Sequence, residues 1–219
     1  MPKIVKITTV LNPLDLLAPH SCRGCGRLGK PLCDCCKNYI VTNRKKLRPN
    51  CSTKNLPPIF IIGRREELIG KLIYDFKFSS VRALAKPLAE LLDAILPQTP
   101  TNTEIIPLPT ISKHIRARGF DHTLLLAKKL AKLRHHKITK ILLRDKNTVQ
   151  VGADKKTRAI QAKSAYQLNP NLKINPNTTY ILLDDIWTTG SSIKAAIKKL
   201  QTAGVKKIII AILAVSSLD

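Results

Sequence analysis

Five short apolar runs, separated by segments of helical periodicity, constrain the fold of this chain more than any other feature. The runs span residues 58–63, 103–109, 137–144, 178–185 and 206–215. Strands that are apolar on both faces are typical of a parallel sheet covered by helices on each side. The intervening segments 66–78, 81–96, 121–135 and 191–203 have helix-like patterns. This alternation predicts an α/β fold, a doubly wound and mainly parallel sheet.

The composition changes near residue 58, and this change predicts two domains. All six cysteines lie before that position, together with several prolines and no convincing helical period. A length of 219 residues fits one ordinary domain with a small appendage. We therefore predict a cysteine-rich module over residues 1–58 and the α/β domain over residues 59–219.

The charge is strongly positive, because 38 Lys and Arg residues face 14 Asp and Glu residues, a formal net charge of +24. Such a balance predicts anionic partners: nucleic acid, phosphorylated small molecules or an anionic membrane surface. The alternative is a lysine-rich solvated surface without a dedicated nucleic-acid face. The aromatic residues make up 4% and are spread along the chain. This dispersion disfavours a platform of rings on which bases stack.

Targeting signals are not evident in the sequence. No stretch approaches the roughly 20 uncharged apolar residues of a membrane-spanning helix. The first residues lack the uninterrupted apolar run and the cleavage site of a signal peptide. We therefore expect no transmembrane segment and a cytoplasmic protein.

The cysteines follow the pattern of a metal site, with two Cys-x2-Cys pairs separated by seven residues. Each pair presents two sulfurs from one tight turn, which suits tetrahedral zinc coordination. We predict a structural Zn²⁺ site in a zinc-ribbon-like module, formed by Cys22, Cys25, Cys33 and Cys36. A disulfide framework is the alternative, but a reducing cytoplasm disfavours it. Three other residues remain possible ligands at this stage: Cys35, Cys51 and His20.

The segment 180–192, YILLDDIWTTGSS, carries the strongest functional signal. An apolar strand leads into Asp184 and Asp185, and a Thr-Thr-Gly-Ser-Ser loop then leads into a helix. The carboxyl ends of parallel strands are where α/β sheets bind ligands. The free N–H groups of a helix N-terminus bind phosphate. Gly190 permits a close backbone approach, and hydroxyls that can donate to phosphate oxygens come from Thr188, Thr189, Ser191 and Ser192.

The two adjacent carboxylates indicate what accompanies the phosphate. Like charges side by side are unfavourable unless something binds them, and carboxylates accept hydrogen bonds from the vicinal hydroxyls of a ribose. The segment therefore predicts a site for a ribose 5-phosphate. The alternative is a Thr or Ser residue that only caps the helix.

This segment resembles the phosphoribosyl-diphosphate-binding motif of type I phosphoribosyltransferases. With the cysteine module, the chain resembles the ComF competence family, known in full-length form as ComFC. Three further stretches fit this family: a helical pair carrying a Lys at 68–92, a Pro-x-Pro strand end followed by an Arg-x-Arg-Gly-Phe loop at 106–131, and an Arg…Thr-x-x-Gln segment at 142–168. The chain departs from the family where Asp121 and Gln161 replace Asn, and where a second cysteine knuckle is reduced to Cys51.

The resemblance implies roles for particular residues. It implies a sheet of type I phosphoribosyltransferase type in which Asp184 and Asp185 bind the ribose hydroxyls, and Thr188, Thr189, Gly190, Ser191 and Ser192 hold the 5-phosphate. Arg116 and Arg118 would approach the diphosphate, which would recruit Mg²⁺. Arg144 and Arg158 are weaker candidates. His114 and His122 are expected on a helix surface, so no catalytic base is assigned.

The resemblance also implies a function. A ComF-type protein would bind phosphoribosyl diphosphate and take part in the uptake and processing of single-stranded DNA during natural transformation, with helicase-like or nucleoprotein partners. The alternative is an active phosphoribosyltransferase of nucleotide metabolism that transfers phosphoribosyl to a base or an amine. A sensor that binds the ligand without transforming it is a third hypothesis. The acceptor and the oligomeric state stay open.

Overall fold

The computed structural model of this chain describes residues 20–44, 55–144 and 165–216. Its strands are β1 His20–Ser21, β2 Leu28–Gly29, β3 Ile59–Arg64, β4 Thr103–Pro107, β5 Lys137–Ile138, β6 Leu142–Arg144, β7 Tyr166–Leu168, β8 Thr179–Trp187 and β9 Lys207–Val215. Its helices are α1 Asp34–Thr42, α2 Leu68–Phe78, α3 Ala85–Asp93, α4 Ser112–Arg118, α5 His122–Arg134 and α6 Ser191–Thr202. A 3₁₀ turn, Arg82–Leu84, precedes α3. None of these helices is long and apolar enough to cross a membrane, within the residues described.

The main sheet has five strands in the order β3-β9-β8-β4-β5, and every pairing is parallel. Helices lie on both sides of it, so the predicted α/β fold with a mainly parallel sheet is confirmed. β8 is the central strand, because β9 pairs on one side and β4 on the other. This arrangement puts the end of β8, with the acidic pair, in the middle of the carboxyl edge of the sheet.

The sheet separates two hydrophobic cores, and the residues of β8 alternate between them. Ile181 and Leu183 belong to the core formed with α2, α3 and α5, whereas Tyr180 and Leu182 belong to the core formed with α6. Successive residues of a strand point to opposite faces, which explains why this strand has to be apolar throughout. Towards the end of β8 the order is reversed, because Ile186 packs against the first core and Trp187 belongs to the second.

Three local features differ from the sequence predictions. The run 137–144 is not one strand: β5 joins the main sheet, whereas β6 pairs antiparallel with β7. β8 does not end at the acidic pair but continues to Trp187. Residues 112–118 form the short helix α4 where a loop was expected, and none of its residues is buried. The sequence gives no apolar periodicity there because the helix has no core-facing side.

The cysteine module packs against the main domain. Cys22, Leu32 and Ile40 belong to the same hydrophobic core as residues of α2 and α3. Lys37 of α1 forms an ion pair with Glu90 of α3. The module therefore shares a core with the sheet domain, and the domain boundary at residue 58 stays a prediction.

Candidate functional site

The acidic pair occupies two different environments at the carboxyl edge of the sheet. Asp185 is buried and contacts side chains of α2 and α5, whereas Asp184 is partly exposed and lies near Tyr166 of β7. The two carboxylates therefore meet different neighbours although they are adjacent in sequence.

Asp185 is neutralised by side chains from two helices. Its Oδ2 atom lies 2.6 Å from Lys77 Nζ of α2 and 2.5 Å from His122 Nε2 of α5. Burial raises the pKa of this carboxyl group, but the hydrogen bond from His122 and the charge of Lys77 outweigh that effect and hold the pKa well below its usual value. Asp185 is therefore ionised, and its charge attaches α2 and α5 to the central strand.

His122 extends this network to the arginine predicted to approach the diphosphate. Arg118 Nη1 lies 2.6 Å from His122 Nδ1. A guanidinium group can only donate, so Nδ1 accepts and Nε2–H donates to Asp185. The expectation that His122 lies on a helix surface is wrong: its exposed fraction is 5%. His122 is the first residue of α5, directly after the N-cap Asp121, and only the tertiary fold brings it to β8.

Asp184 faces the second core and has no cationic partner among its described hydrogen bonds. Its Oδ1 atom accepts from the backbone N–H of Asp185 at 2.9 Å. Burial, followed by the charge of Asp185, raises the pKa of Asp184 well above its usual value. Its ionised form is therefore destabilised in the free protein. A bound hydroxyl donor or a cation would stabilise that form.

The β6–β7 ribbon lies on the same side as Asp184. Burial raises the pKa of the Tyr166 hydroxyl; Arg144 opposes this shift and the nearby Asp184 adds to it. Arg144 Nη1 donates to Tyr166 Oη at 3.3 Å, whereas Arg144 Nε is buried without a partner in the described residues. The ribbon thus brings a cation and a phenol close to Asp184; Arg144 was a weaker candidate from the sequence, whereas Tyr166 was not predicted.

The loop that follows β8 is open to solvent. Four hydroxyl residues are exposed along it: Thr188, Thr189, Ser191 and Ser192. Gly190 is the N-cap of α6 and has no side chain with which to cap it, but the Thr189 hydroxyl accepts a hydrogen bond from the Ser191 N–H, the first of the helix, at 3.3 Å. The alternative of a Thr or Ser residue that caps the helix therefore stays open. The remaining N–H groups at the start of α6 and the exposed hydroxyls are donors of the kind that bind anions.

Trp187 supports this loop from beneath. Gly190 has φ of 73°, and a Cβ atom there would lie 2.3 Å from Cζ2 of the Trp187 ring. Position 190 therefore requires glycine both for its left-handed backbone and for space. Trp187 is 1% exposed, and its Nε1 atom has no hydrogen-bond partner among the described residues. The sequence predicted that Gly190 allows its backbone to approach a phosphate closely; in the structure, its backbone lies against the Trp187 ring.

Comparison with known proteins shows what this chain is similar to. A family profile described as "Phosphoribosyl transferase domain" matches residues 123–217, which include the acidic pair and the loop. The C-terminal part of this chain is thus similar to a phosphoribosyl transferase domain. The chain is also 28% identical over 199 residues to Competence protein F of Haemophilus influenzae, covering 85% of this chain and 86% of that protein. Together with the clustered cysteines, these matches confirm the resemblance to the ComF family.

The two predicted diphosphate arginines lie on the last turn of α4 rather than in a loop, just before the residues that the family profile matches. Arg118 points towards His122, as described above, and Arg116 is exposed. Arg158 lies outside the described residues. The roles of the acidic pair, the loop residues 188–192 and the two arginines in ligand binding stay predictions.

The cysteine module brings four thiols together. One ligand atom from each of Cys22, Cys25, Cys33 and Cys36 lies within 4.8 Å of the others, and Cys25 Sγ is 3.6 Å from Cys33 Sγ. Zn–S bonds of about 2.3 Å place the sulfurs of a tetrahedral site roughly 3.8 Å apart, so the four residues fit a metal such as zinc. Neither Cys35 nor His20 belongs to this described group, and Cys51 lies outside the described residues.

The four thiols also have the electrostatics of a cation site. Burial raises the pKa of Cys22, but backbone N–H groups of Cys33, Cys25 and Gly24 outweigh it and lower the pKa to about 6. Burial and hydrogen bonding with the other thiols raise the pKa of Cys36 to about 12. One thiolate forms readily and the next is opposed by its charge, a conflict that a divalent metal removes.

We predict that neighbouring cysteines differ in their effect on metal content. Cys36→Ser should remove zinc from the purified protein and lower its thermal stability, because a structural site loses one of four ligands. Cys35→Ser is the matched control, since Cys35 is exposed outside the cluster. Zinc is measured by mass spectrometry after gel filtration; equal zinc content in the two variants would contradict the assignment.

We predict opposite effects of the two aspartates on the stability of the ligand-free protein. Asp185→Asn should lower the free energy of unfolding by about 3 kcal/mol at pH 7, because it leaves Lys77 partly buried without its counter-ion. Asp184→Asn should leave stability unchanged or raise it, because it removes a disfavoured charge. Urea denaturation of both variants measures this difference.

The sign of the pH dependence follows from the same shift. The pKa of Asp185 is lower in the folded protein than in the unfolded chain. Its ionised form therefore adds to the free energy of unfolding at pH values above the pKa of the unfolded chain. This stabilisation is lost as the pH falls through the pKa of the folded protein. Asp185→Asn should therefore flatten the acid side of the stability profile, and an unchanged acid limb would count against the ion pair.

Proposed function

We propose that this chain is a ComF-type protein that binds phosphoribosyl diphosphate with Mg²⁺ and acts on single-stranded DNA in natural transformation. One observation carries the ligand assignment: a few residues after Asp184, a carboxylate whose ionised form is disfavoured, the chain forms an exposed helix N-terminus with four hydroxyl side chains. A ligand with a phosphate and vicinal hydroxyls satisfies both groups at once.

In this proposal, the loop residues 188–192 bind the 5-phosphate through backbone N–H groups and hydroxyls. Asp184 accepts hydrogen bonds from the ribose hydroxyls. Asp185 acts differently from its neighbour, because Lys77 and His122 already hold its Oδ2 atom. It binds the sugar only through the rest of its carboxylate and otherwise keeps α2 and α5 in place.

The diphosphate would be stabilised by arginine side chains and by Mg²⁺, which the diphosphate itself recruits. Arg118 already has a fixed orientation, because His122 accepts its hydrogen bond. Arg116 is exposed and lies two residues earlier on α4. Arg118 is therefore the more constrained of the two predicted diphosphate ligands.

The DNA role rests on two observations. The relative that this chain matches over 86% of that protein's length is named as a competence protein. The net charge of +24 favours binding of a polyanion. A cluster of four reduced thiols suits the reducing cytoplasm, which is where we place the protein. Helicase-like or nucleoprotein partners belong to this proposal.

An active phosphoribosyltransferase of nucleotide metabolism is the second candidate. It is favoured by the β6–β7 ribbon, which places Arg144 and Tyr166 on the side of Asp184. Transfer to a base or an amine would need such a cover to exclude water and a cation to stabilise the departing diphosphate.

We predict that phosphoribosyl diphosphate with Mg²⁺ stabilises the wild-type protein. At a ligand concentration of about 100 times Kd, binding adds about 2.7 kcal/mol, which raises Tm by several degrees for a chain of this size. Asp184→Ala should abolish this rise. The measurement is thermal denaturation with and without the ligand and Mg²⁺.

The matched control is Glu104→Ala, which removes a partly exposed carboxylate from β4, towards the opposite edge of the sheet. It should keep the full rise in Tm. A rise that survives Asp184→Ala would refute the ribose assignment. Release of diphosphate when candidate bases or amines are added would favour the second candidate over a binding role alone.

We predict salt-sensitive binding of single-stranded DNA. If the protein neutralises about five phosphates, the affinity should fall roughly 100-fold between 50 and 200 mM salt, because bound counter-ions are released. Fluorescence anisotropy with a labelled oligonucleotide measures the slope. Absence of saturable binding at low salt would remove the DNA role and leave the sugar-phosphate site untouched.

A further inference from the structure

The outer face of α2 presents two aromatic side chains to solvent. Tyr74 is 60% and Phe78 is 64% exposed, and their ring centroids lie 5.2 Å apart. They are one helical turn apart and therefore share one face. The sequence disfavours a stacking platform because its aromatic residues are dispersed, but the structure places these two rings side by side.

Cations flank this aromatic pair. The guanidinium carbon of Arg118 lies 5.5 Å from the Phe78 ring centroid, and Lys77 Nζ lies 5.8 Å from it. Both cations are oriented by the Asp185 network, Lys77 directly and Arg118 through His122. Phe78 therefore lies beside two cationic side chains whose positions are held by hydrogen bonds and an ion pair.

A cleft of about 290 Å³ opens beside Phe78, between the end of α2 and the helix α4. Its described lining is Lys77, Phe78, Ser80, His114, Ala117 and Arg118, which contains no acidic side chain. Lys77 and Arg118 give the cleft positive charge, and burial, followed by the charges of Arg118 and Lys77, lowers the pKa of His114. The cleft therefore suits a ligand that has a planar ring and a negatively charged group attached to it.

A base of a nucleic acid strand has this combination. Its π-face stacks on an exposed aromatic ring, and the phosphate attached to it pairs with a guanidinium group. Unpaired bases are available for such stacking only in a single strand. Tyr74, one turn further along α2, offers a second ring to a neighbouring base.

We propose that Tyr74, Phe78 and the adjoining cleft bind successive bases of single-stranded nucleic acid, with Arg118 and Lys77 supplying the positive field for its phosphates. This inference rests on the proposed DNA role and names the surface that performs it. Because Arg118 contacts His122 and His122 contacts Asp185, the base site adjoins the acidic pair of β8.

The test compares two oligonucleotides of equal length and charge, a 20-residue oligothymidylate and an abasic sugar-phosphate strand. The wild-type protein should bind the oligothymidylate more tightly. Phe78→Ala should weaken binding of the oligothymidylate roughly fivefold or more, since stacking is lost, and should leave the abasic strand almost unaffected. Tyr74→Ala should act in the same direction, and Phe78→Trp should restore binding.

The matched control is Tyr39→Ala, because Tyr39 is as exposed as Tyr74, at 60%, but lies on α1 in the cysteine module. It should change neither affinity. The salt slope should stay the same in Phe78→Ala, because stacking releases no counter-ions. Circular dichroism and the Tm confirm folding, and Tyr74→Ala decides the outcome if Phe78→Ala does not fold.

The outcomes separate the two proposals. If the wild-type protein binds neither strand, the DNA role itself fails. If it binds both strands equally, or if Phe78→Ala and Tyr74→Ala bind the oligothymidylate as the wild type does, the DNA role stands and this base site is refuted. A loss in Tyr39→Ala equal to that in Phe78→Ala would also refute it.

Discussion

Asp185 carries a negative charge inside the protein at the carboxyl end of the central strand, and the arrangement around the site depends on how that charge is compensated. Lys77 comes from α2 and His122 from α5, so one carboxylate connects two helices to β8. A buried charge that lost these partners would be costly. The contact therefore orients α2, which carries the exposed aromatic pair, and Arg118, which donates to His122.

The two faces of β8 divide the tasks of the acidic pair. On one face, Asp185 is satisfied by the protein and has a mainly architectural role. On the other face, Asp184 is left with a raised pKa beside the β6–β7 ribbon and the open loop. A ligand is thus expected to interact mainly with Asp184, the loop and the α6 N-terminus. The same strand can support the fold and present a binding group because its side chains alternate.

The site is connected through α2 to the cysteine module and to the exposed aromatic pair. The cysteine module packs on α2 and α3 through the shared core, so a metal bound to its four thiols would also support the helix that supplies Lys77. The aromatic pair lies on the outer face of that helix. If both proposals hold, nucleic acid and sugar phosphate bind to adjoining surfaces that meet at the Arg118–His122–Asp185 chain.

The sequence determined the main features of the fold and of the candidate site through local patterns. The apolar runs predicted the parallel sheet, the cysteine spacing predicted the four-thiol group, and the segment 180–192 predicted a loop between an acidic pair and a helix. These features depend on residues within a few positions of each other. The partners of Asp185, the burial of His122, the β6–β7 pairing and the adjacency of Phe78 and Arg118 were decided only by the tertiary structure. They join residues up to 108 positions apart, and no local periodicity or spacing encodes which distant side chains a folded sheet brings together.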